Sequence, residues 1–385
     1  MLSKTNMNNN VNTKLVYIYE NLPSGGAKEL YLSNVKYLKT KYKLRFLSDK
    51  SESKGWVKNF FSYIYYSIFI VNKISKKLAK QTNSGSALVA YHSWITKSPD
   101  ILRYTKIPTL YICHEPPREF YDSYVISKFG IRDKIANVIR FYIKYVDLLN
   151  VRNNKQIKII ANSQYSAKVL AQIYRQNPEV VYPGIHLAEY GNYTGLGRRE
   201  NTIICVGAIN KIKNQEYILE VVKEIEKSIR PQVILVGNGA DENYKLKLIN
   251  NAKVNDIRLS IKLNIERRKL ISLYKSSRIL LYPVANEPFG MVALEAMRAG
   301  LPIVGRVDGG GYTEILDKNS GYFFNNENGK DSTKQVSEKV KYLLLNDEYW
   351  NKVSNFNYKL AGKYSDVKMN VSLNKILQNM ILRPQ

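Results

Sequence analysis

Two carboxylates stand out first. Glu287 and Glu295 lie eight residues apart in Glu287-Pro-Phe-Gly-Met-Val-Ala-Leu-Glu295. Glu287 falls in a loop, and Glu295 falls on a helix expected over 291–299. Eight residues cover about 12 Å of helix. Because Glu287 precedes the helix, the two carboxylates need not share a face. Phe289, Gly290, Met291 and Val292 occupy the expected helix N-terminus. Free backbone N–H groups and the helix dipole favour a phosphate there. Gly290 permits close backbone approach. A carboxylate can also accept both hydroxyls of a ribose. The pattern fits a site for a sugar carried on a nucleoside diphosphate. It equally fits a capped helix with two solvated glutamates.

Other residues add candidates. The loop Pro23-Ser-Gly-Gly-Ala27 offers Gly25 and Gly26 either as a tight turn or as a phosphate contact. His114 follows an expected strand and precedes Glu-Pro-Pro-Arg118, at the strand end where parallel sheets bind ligands. A satisfied structural histidine is its alternative. His92 follows the strand expected over 87–91 and would line the acceptor side. His186 reads as a surface residue at a hinge. Arg118 and Glu119 either meet an acceptor phosphate or form a surface pair. Glu314 either reaches the donor nucleotide or sits at a helix N-terminus favoured by the dipole. No Asp-x-Asp, no Gly-x-x-x-x-Gly-Lys-Ser/Thr and no zinc-type Cys/His spacing occurs, so no metal site is expected.

These residues must be held by a frame. Apolar runs over 14–19, 44–48, 87–91, 109–113 and 157–161 read as strands. The rhythm restarts with strands over 202–206, 233–236, 279–283 and 302–305. Helices are expected between them, among others over 27–38, from 164, over 217–229, 270–275 and 291–299. Alternating strands and helices imply parallel sheets, and two series imply two doubly wound α/β domains. The Gly-rich stretch near 186–200 is the expected boundary. The expected layout is a first domain over 1–188, a second over 189–362, and a C-terminal helix over 363–385. The cleft between the domains is the default site.

Composition narrows the class. The 385 residues are 44% apolar and 24% charged, which excludes disordered, collagen-like and coiled-coil chains. Cys113 and Cys205 are the only two cysteines, so a reducing, cytoplasmic compartment is expected. Met1 to Asn12 shows no apolar core of a signal peptide. Phe60 to Val71 is too short to span a bilayer, which takes about 20 residues. The net charge of +27 favours anionic partners without choosing among them. A long helix is expected over 53–81, with Phe60, Phe61, Ile64, Ile68 and Val71 along it and four lysines at its end. It either lies on a membrane interface or packs on the sheet.

The stretch Ile279 to Ile315, with EPFGMVALEAMRAGLPIV and GGGYTEI, resembles the donor-site signature of glycosyltransferase family 4, a retaining family of the GT-B fold. Gly25-Gly26, Val181-Tyr-Pro-Gly-Ile185, Cys205-Val-Gly207 and Leu235-Val-Gly-Asn-Gly239 agree with it in order and spacing. The resemblance implies that Glu287 stabilises positive charge at the anomeric carbon and that Glu295 binds the ribose. It implies that Lys213 neutralises the diphosphate, that Phe289 to Val292 offer backbone donors, and that His114 lies near the donor sugar. The family commonly has Arg five residues before that lysine; here the residue is Ala208, and Lys211 is the available substitute. The second domain would hold the nucleotide, and the first the acceptor. The C-terminal segment would cross back to the first domain.

The expected activity is retaining transfer of a hexose from a nucleoside diphosphate sugar, UDP first and GDP next, without a metal or other cofactor. The acceptor would be a hydroxyl of a lipid-linked saccharide, other glycan or glycolipid, with an anionic membrane surface as a further partner. Nucleic acid is not expected as a partner. The alternatives are a basic nucleic-acid or membrane-surface binding protein on a degenerate GT-B fold, and a related epimerase or phosphorylase.

Overall fold

The computed structural model describes residues 14–22, 25–47, 65–93, 97–197, 199–325 and 332–382. The segment 53–64, the first part of the expected long helix, lies outside the described residues, as do Pro23 and Ser24.

The first domain begins with β1 (Leu15–Asn21), α1 (Gly26–Lys39) and β2 (Lys43–Leu47). A π-helical turn, Tyr66–Ile70, leads into α2 (Val71–Ala79). Then come β3 (Ala87–Ser93), β4 (Thr109–Cys113), α3 (Ile131–Ile139), α4 (Phe141–Arg152), β5 (Ile157–Ala161), α5 (Gln164–Tyr174) and β6 (Glu179–Val180). Short helices at 101–104, 118–121 and 123–127 fill the connections. The strands form one parallel sheet in the order β2-β1-β3-β4-β5-β6.

The second domain contains β7 (Thr202–Val206), α6 (Gln215–Lys223), β8 (Gln232–Gly237), α7 (Glu242–Val254), β9 (Leu259–Leu263), α8 (Arg267–Ser276), β10 (Ile279–Tyr282), α9 (Met291–Arg298), β11 (Ile303–Arg306) and β12 (Gly321–Phe324). The helices α10 (Thr333–Leu345) and α11 (Asp347–Ala361) follow. Its parallel sheet runs β12-β11-β10-β7-β8-β9. Two doubly wound α/β sheets are thus present, as the alternating pattern implies.

The central strands are continuous apolar runs because helices cover both faces. Val16, Ile18, Val89, Tyr91, Leu110 and Ile112 pack against α1 on one face of the first sheet. Tyr17, Tyr19, Leu88, Tyr111 and Cys113 pack against the helical layer on the other face. There Asp147 is buried and accepts from the Ser98 N–H at 2.9 Å and the Tyr174 hydroxyl at 3.1 Å. Burial still pushes its carboxyl up to about 7.

The last helix, α12 (Asp366–Leu382), belongs to the first domain's core. Met369, Leu373, Ile376 and Leu377 join the α1 face, and Asn34 donates to Asn370 at 3.2 Å. The two chain crossings touch each other. Ile185 N–H donates to Tyr364 C=O at 3.1 Å, and Asp366 N–H donates back to Ile185 C=O at 3.1 Å. A Cβ on Gly184 would lie 2.1 Å from the Ser365 carbonyl, so only glycine fits that crossing.

Several boundaries differ from expectation. The helix expected over 217–229 ends at Lys223. Arg230 donates from Nη2 to the carbonyls of Lys223 at 2.9 Å and Ile225 at 2.8 Å. A guanidinium on these orphan carbonyls closes the helix before Pro231. The segments forming α7, β9 and β12 are not among the expected elements, although Leu259-Ser-Ile-Lys-Leu263 of β9 alternates apolar and polar residues as a half-buried strand does. β9 and β12 are edge strands, and β9 is only half-buried.

Candidate donor site between the domains

The carboxyl ends of both sheets face each other. From the second domain comes α9, capped by Gly290 at φ 87°. A Cβ there would lie 2.5 Å from the Tyr312 Cβ, so glycine alone permits this entry into the helix. From the first domain come Gly25 and Gly26. A Cβ built on Gly26 lies 3.7 Å from Met291 Cγ, and one on Gly25 lies 3.9 Å from Asn238 Nδ2. The Gly-rich turn after β1 therefore sits across the cleft from the N-terminus of α9.

Glu287 stands before that helix on a loop held from below. Its N–H donates to Gly309 C=O at 2.8 Å, and Gly311 N–H donates to its C=O at 2.7 Å. A Cβ on Gly310 would fall 2.5 Å from the Glu287 carbonyl oxygen, and one on Gly311 would fall 2.1 Å from that of Pro288. The run Asp308-Gly-Gly-Gly311 is thus the support on which the Glu287 loop lies.

The Glu287 carboxylate accepts from Lys213 Nζ at 2.7 Å. Burial pushes its pKa up, but Lys213 and Arg118 outweigh burial and leave it below the usual glutamate range. Lys213 rises from the loop after β7, where its side chain lies against Gly207. Ala208 presents only its carbonyl, which accepts from Gln215 Nε2 at 2.9 Å. Lys211 is exposed and forms no ion pair among the described residues.

Glu295, which the resemblance places at the ribose, already has protein partners. It is buried one turn into α9. Arg267 Nη1 donates to one of its oxygens, and the Tyr274 hydroxyl donates to the other at 3.1 Å. Arg267 also holds Tyr190 Oη at 2.8 Å and Glu189 at 3.2 Å. For Glu295 to take two ribose hydroxyls, Arg267 must turn aside. Nothing in the sequence reading singled out Arg267, since it lies 28 residues from Glu295 in no shared motif.

The first-domain candidates form a different environment. His92 and His114 lie edge to face with ring centroids 5.7 Å apart, and Tyr91 stacks on His114 at 6.2 Å. His92 Nδ1 and His114 Nε2 are enclosed without hydrogen-bond partners. Burial lowers the His114 pKa to about 4 and pushes His92 well below its usual value, so both rings are neutral near pH 7. A cavity of about 20 Å³ beside His114 is lined by Asn34, Tyr91, Cys113 and Asn162.

Arg118 is neither half of a surface pair with Glu119 nor an open cation. It is buried, its Nε donates to Asp122 at 2.9 Å, and its Nη2 points to the Ala285 carbonyl at 3.4 Å across the cleft. Glu119 instead faces Lys97 at 3.3 Å. A cavity of about 140 Å³ between the domains is lined by Arg118, Tyr121, Asp122, Tyr165, Ser166 and Asn286.

Glu314 is expected either at the donor nucleotide or at a helix N-terminus. It sits at a helix N-terminus, but of α5 in the other domain. Its carboxylate accepts from the N–H groups of Gln164 at 2.8 Å and Tyr165 at 2.6 Å, and from the Tyr182 hydroxyl at 2.9 Å. Beside it, Ser163 and Ser166 donate to Pro288 C=O at 2.6 and 3.0 Å. Charge at a helix N-terminus thus joins the two domains directly beside the Glu287 loop. His186 lies at the exposed crossing, 3.3 Å from Asp366. Among the described residues no group of three His, Cys, Asp or Glu side chains is placed to hold a metal.

Comparison with known proteins fits this geometry. Residues 192–360 match the family profile described as glycosyl transferases group 1. The match lies within the second domain and spans less than half of the chain. One curated relative is the N-acetyl-alpha-D-glucosaminyl L-malate synthase of Bacillus anthracis, 25% identical over 223 residues, covering 58% of this chain and 57% of the relative. Another is a D-inositol 3-phosphate glycosyltransferase of Streptomyces bingchenggensis, 25% identical over 201 residues, covering 46% of this chain and 44% of the relative. The chain spans about half the length of the curated relatives it matches. In overall fold it is similar to Anabaena HepE, solved with UDP and glucose, at a TM-score of 0.70 and 14% identity, covering 95% of this chain and 100% of HepE. It is also similar to a sucrose-phosphate synthase from Thermosynechococcus elongatus, at a TM-score of 0.74 and 12% identity, covering 96% and 99% of the two chains. The fold is GT-B: two α/β domains that face a shared cleft.

Proposed function

We propose that this protein is a retaining glycosyltransferase that moves a hexose from a nucleoside diphosphate sugar to a hydroxyl of a lipid-linked saccharide or other glycan. One observation carries the reading. The ionised Lys213–Glu287 pair stands beside the N-terminus of α9, opposite the Gly25–Gly26 turn. A diphosphate bound there meets a cation and free backbone N–H groups, which take up the charge of the leaving group.

Binding would draw Lys213 toward the phosphates and free the Glu287 carboxylate to face the anomeric carbon. A carboxylate held ionised stabilises positive charge as the glycosidic C–O bond breaks. With no second carboxylate assigned as nucleophile, the acceptor oxygen attacks the face the phosphate leaves. The departing phosphate oxygen takes the acceptor proton. Neutral His114 serves as a hydrogen-bond partner for a sugar hydroxyl rather than as a charge. Glu295 positions the ribose once Arg267 has turned aside. In this scheme Lys213 and the helix end carry the diphosphate charge without a metal. UDP is the first donor to test, because HepE was solved with it.

Calorimetric titration with UDP, GDP, ADP and TDP, with and without magnesium, tests the reading. The expected result is micromolar binding of one nucleotide, UDP first, in the absence of metal. Binding of none of the four would overturn it.

A further inference from the structure

The loop that carries Glu287 is held from two sides. Its own domain holds it by backbone. Asn286 N–H donates to Asp308 C=O at 3.1 Å, and the turn 309–311 takes the N–H and the C=O of Glu287. The first domain holds it by side chains, on both flanks of Glu287. Pro288 C=O accepts from the hydroxyls of Ser163 at 2.6 Å and Ser166 at 3.0 Å. Asn286 Nδ2 donates to Asp122 Oδ1 at 3.2 Å. Arg118 Nη2 points to Ala285 C=O at 3.4 Å. These partners come from 122 to 167 positions away along the chain.

Each of these partners is itself set in place within the first domain. Ser163 and Ser166 are buried, and two hydroxyls fill both lone pairs of one carbonyl. Ser163 Oγ also accepts from Ser166 N–H at 2.9 Å, so it caps α5 while it donates across the cleft. Asp122 Oδ2 accepts from Arg118 Nε at 2.9 Å. Its Oδ1 accepts from the N–H groups of Tyr124 at 3.0 Å and Val125 at 3.3 Å, and so is fixed where Asn286 meets it. Asn286 holds a left-handed backbone at φ 54°, which asparagine tolerates better than most residues.

Glu287 lies between these anchors. The ring of Pro288 fixes its φ, so a hold on its carbonyl also restrains the peptide before it. With 286 and 288 both held, the Glu287 side chain keeps one direction, toward Lys213. If the domains part, the contacts from Asp122, Ser163 and Ser166 are lost together, and the turn 309–311 alone supports the loop. We propose that Asp122, Ser163 and Ser166 are positioning residues: through Asn286 and Pro288 the first domain aims the Glu287 carboxylate of the second, and the carboxylate is in place only while the cleft is closed. An open molecule then takes a nucleotide at α9 with Glu287 out of line, which limits wasteful hydrolysis of the donor. That consequence rests on the glycosyltransferase reading; the hold on the loop does not.

Hydrogen–deuterium exchange of the ligand-free full chain is the first test. Asn286→Asp sets a carboxylate against Asp122, and exchange over 284–290 should rise about fivefold or more. Adding Asp122→Asn lets amide and carboxylate change sides, and should return exchange to within about twofold of the parent. Ser163→Ala with Ser166→Ala, both in the first domain, should speed the same second-domain segment about threefold or more. Exchange over β7 and β8 should stay at the parent's rate, which separates a released loop from an unfolded domain. UDP release from UDP-glucose is the second test. The serine pair should lower turnover about tenfold or more while calorimetry finds UDP affinity within about twofold, a split that mere loss of stability does not produce. Unchanged exchange over 284–290 in both Asn286→Asp and the serine pair would overturn the proposal. So would a failure of Asp122→Asn to restore Asn286→Asp. A parent that binds none of UDP, GDP, ADP and TDP overturns the glycosyltransferase reading instead, and the exchange rates still decide the hold on the loop.

Discussion

The two sheet ends that face the cleft are built from opposite chemistry. The second domain presents paired charges: Lys213 with Glu287, and Arg267 with Glu295. The first presents neutral rings, His92, His114 and Tyr91, and an Arg118 already matched by Asp122. A nucleoside diphosphate brings charge, and a sugar or its acceptor brings hydroxyls. Under the proposed function, the charged half of the ligand would fall to the second domain and the uncharged half to the first. Lys213, Arg267, Glu287 and Glu295 all lie within residues 192–360, which match the family profile.

The sharpest way to break this contrast is to remove charge from the second domain. Glu287→Gln should lower turnover by about 10²–10³-fold, the range seen when one preorganised electrostatic contact is lost. Its UDP affinity should hold or rise, because Lys213 is released. Lys213→Ala should do the reverse and weaken UDP about tenfold or more, as expected for a lost charge-assisted hydrogen bond. Steady-state kinetics paired with calorimetry separates the two. Equal effects of both variants on Kd and kcat would dissolve the division of labour.

A smaller effect is expected at the seam between the halves. Glu314→Gln keeps the size of the side chain but removes the charge that accepts from Gln164 and Tyr165. The loss should cost about 2 kcal/mol of interdomain stability. Small-angle scattering of the ligand-free protein should then show a more open molecule. An unchanged scattering curve with an unchanged melting temperature would argue that the two serines on Pro288 hold the seam alone.

The smallest effect concerns the neutral half. His114 has its folded pKa lowered to about 4 against an ordinary 6.5. As pH falls below 6.5 the unfolded chain takes up the proton first. The stability tied to the neutral ring is complete above that value and is lost progressively down to about pH 4, at about 1 kcal/mol per pH unit. Asp147 works in the opposite direction, because its folded pKa is raised to about 7 and its contribution fades as pH rises toward that value. The comparison of His114→Gln with its parent isolates the histidine. The variant should lose less stability between pH 6.5 and 4.5 in denaturant titrations, and parallel pH profiles would contradict a buried neutral ring.

Part of this protein is legible along the chain. Thr109–Cys113, Ile157–Ala161 and Thr202–Val206 form as read, since a strand covered on both faces is an unbroken apolar run. The edge strand β9 is no continuous apolar run and is absent from the expected strands, although its Leu259-Ser-Ile-Lys-Leu263 alternation marks a half-buried strand; α7 is absent from the expected helices because polar residues interrupt its apolar positions. The Glu287-to-Glu295 spacing is also local, and it correctly places one carboxylate in a loop and one on a helix.

The long-range pairings were not local. A carboxylate near a helix N-terminus is visible at Glu314 as a residue type, but the helix it caps lies 150 positions away. Arg267 on Glu295, 28 positions apart, and Lys213 on Glu287, 74 positions apart, obey the same rule. The sequence by itself determined the alternation of strands and helices, the glycines that allow close approach, and the residue types available at the cleft. Only the tertiary structure decided which charge neutralises which, because burial and pairing depend on distance through space rather than along the chain.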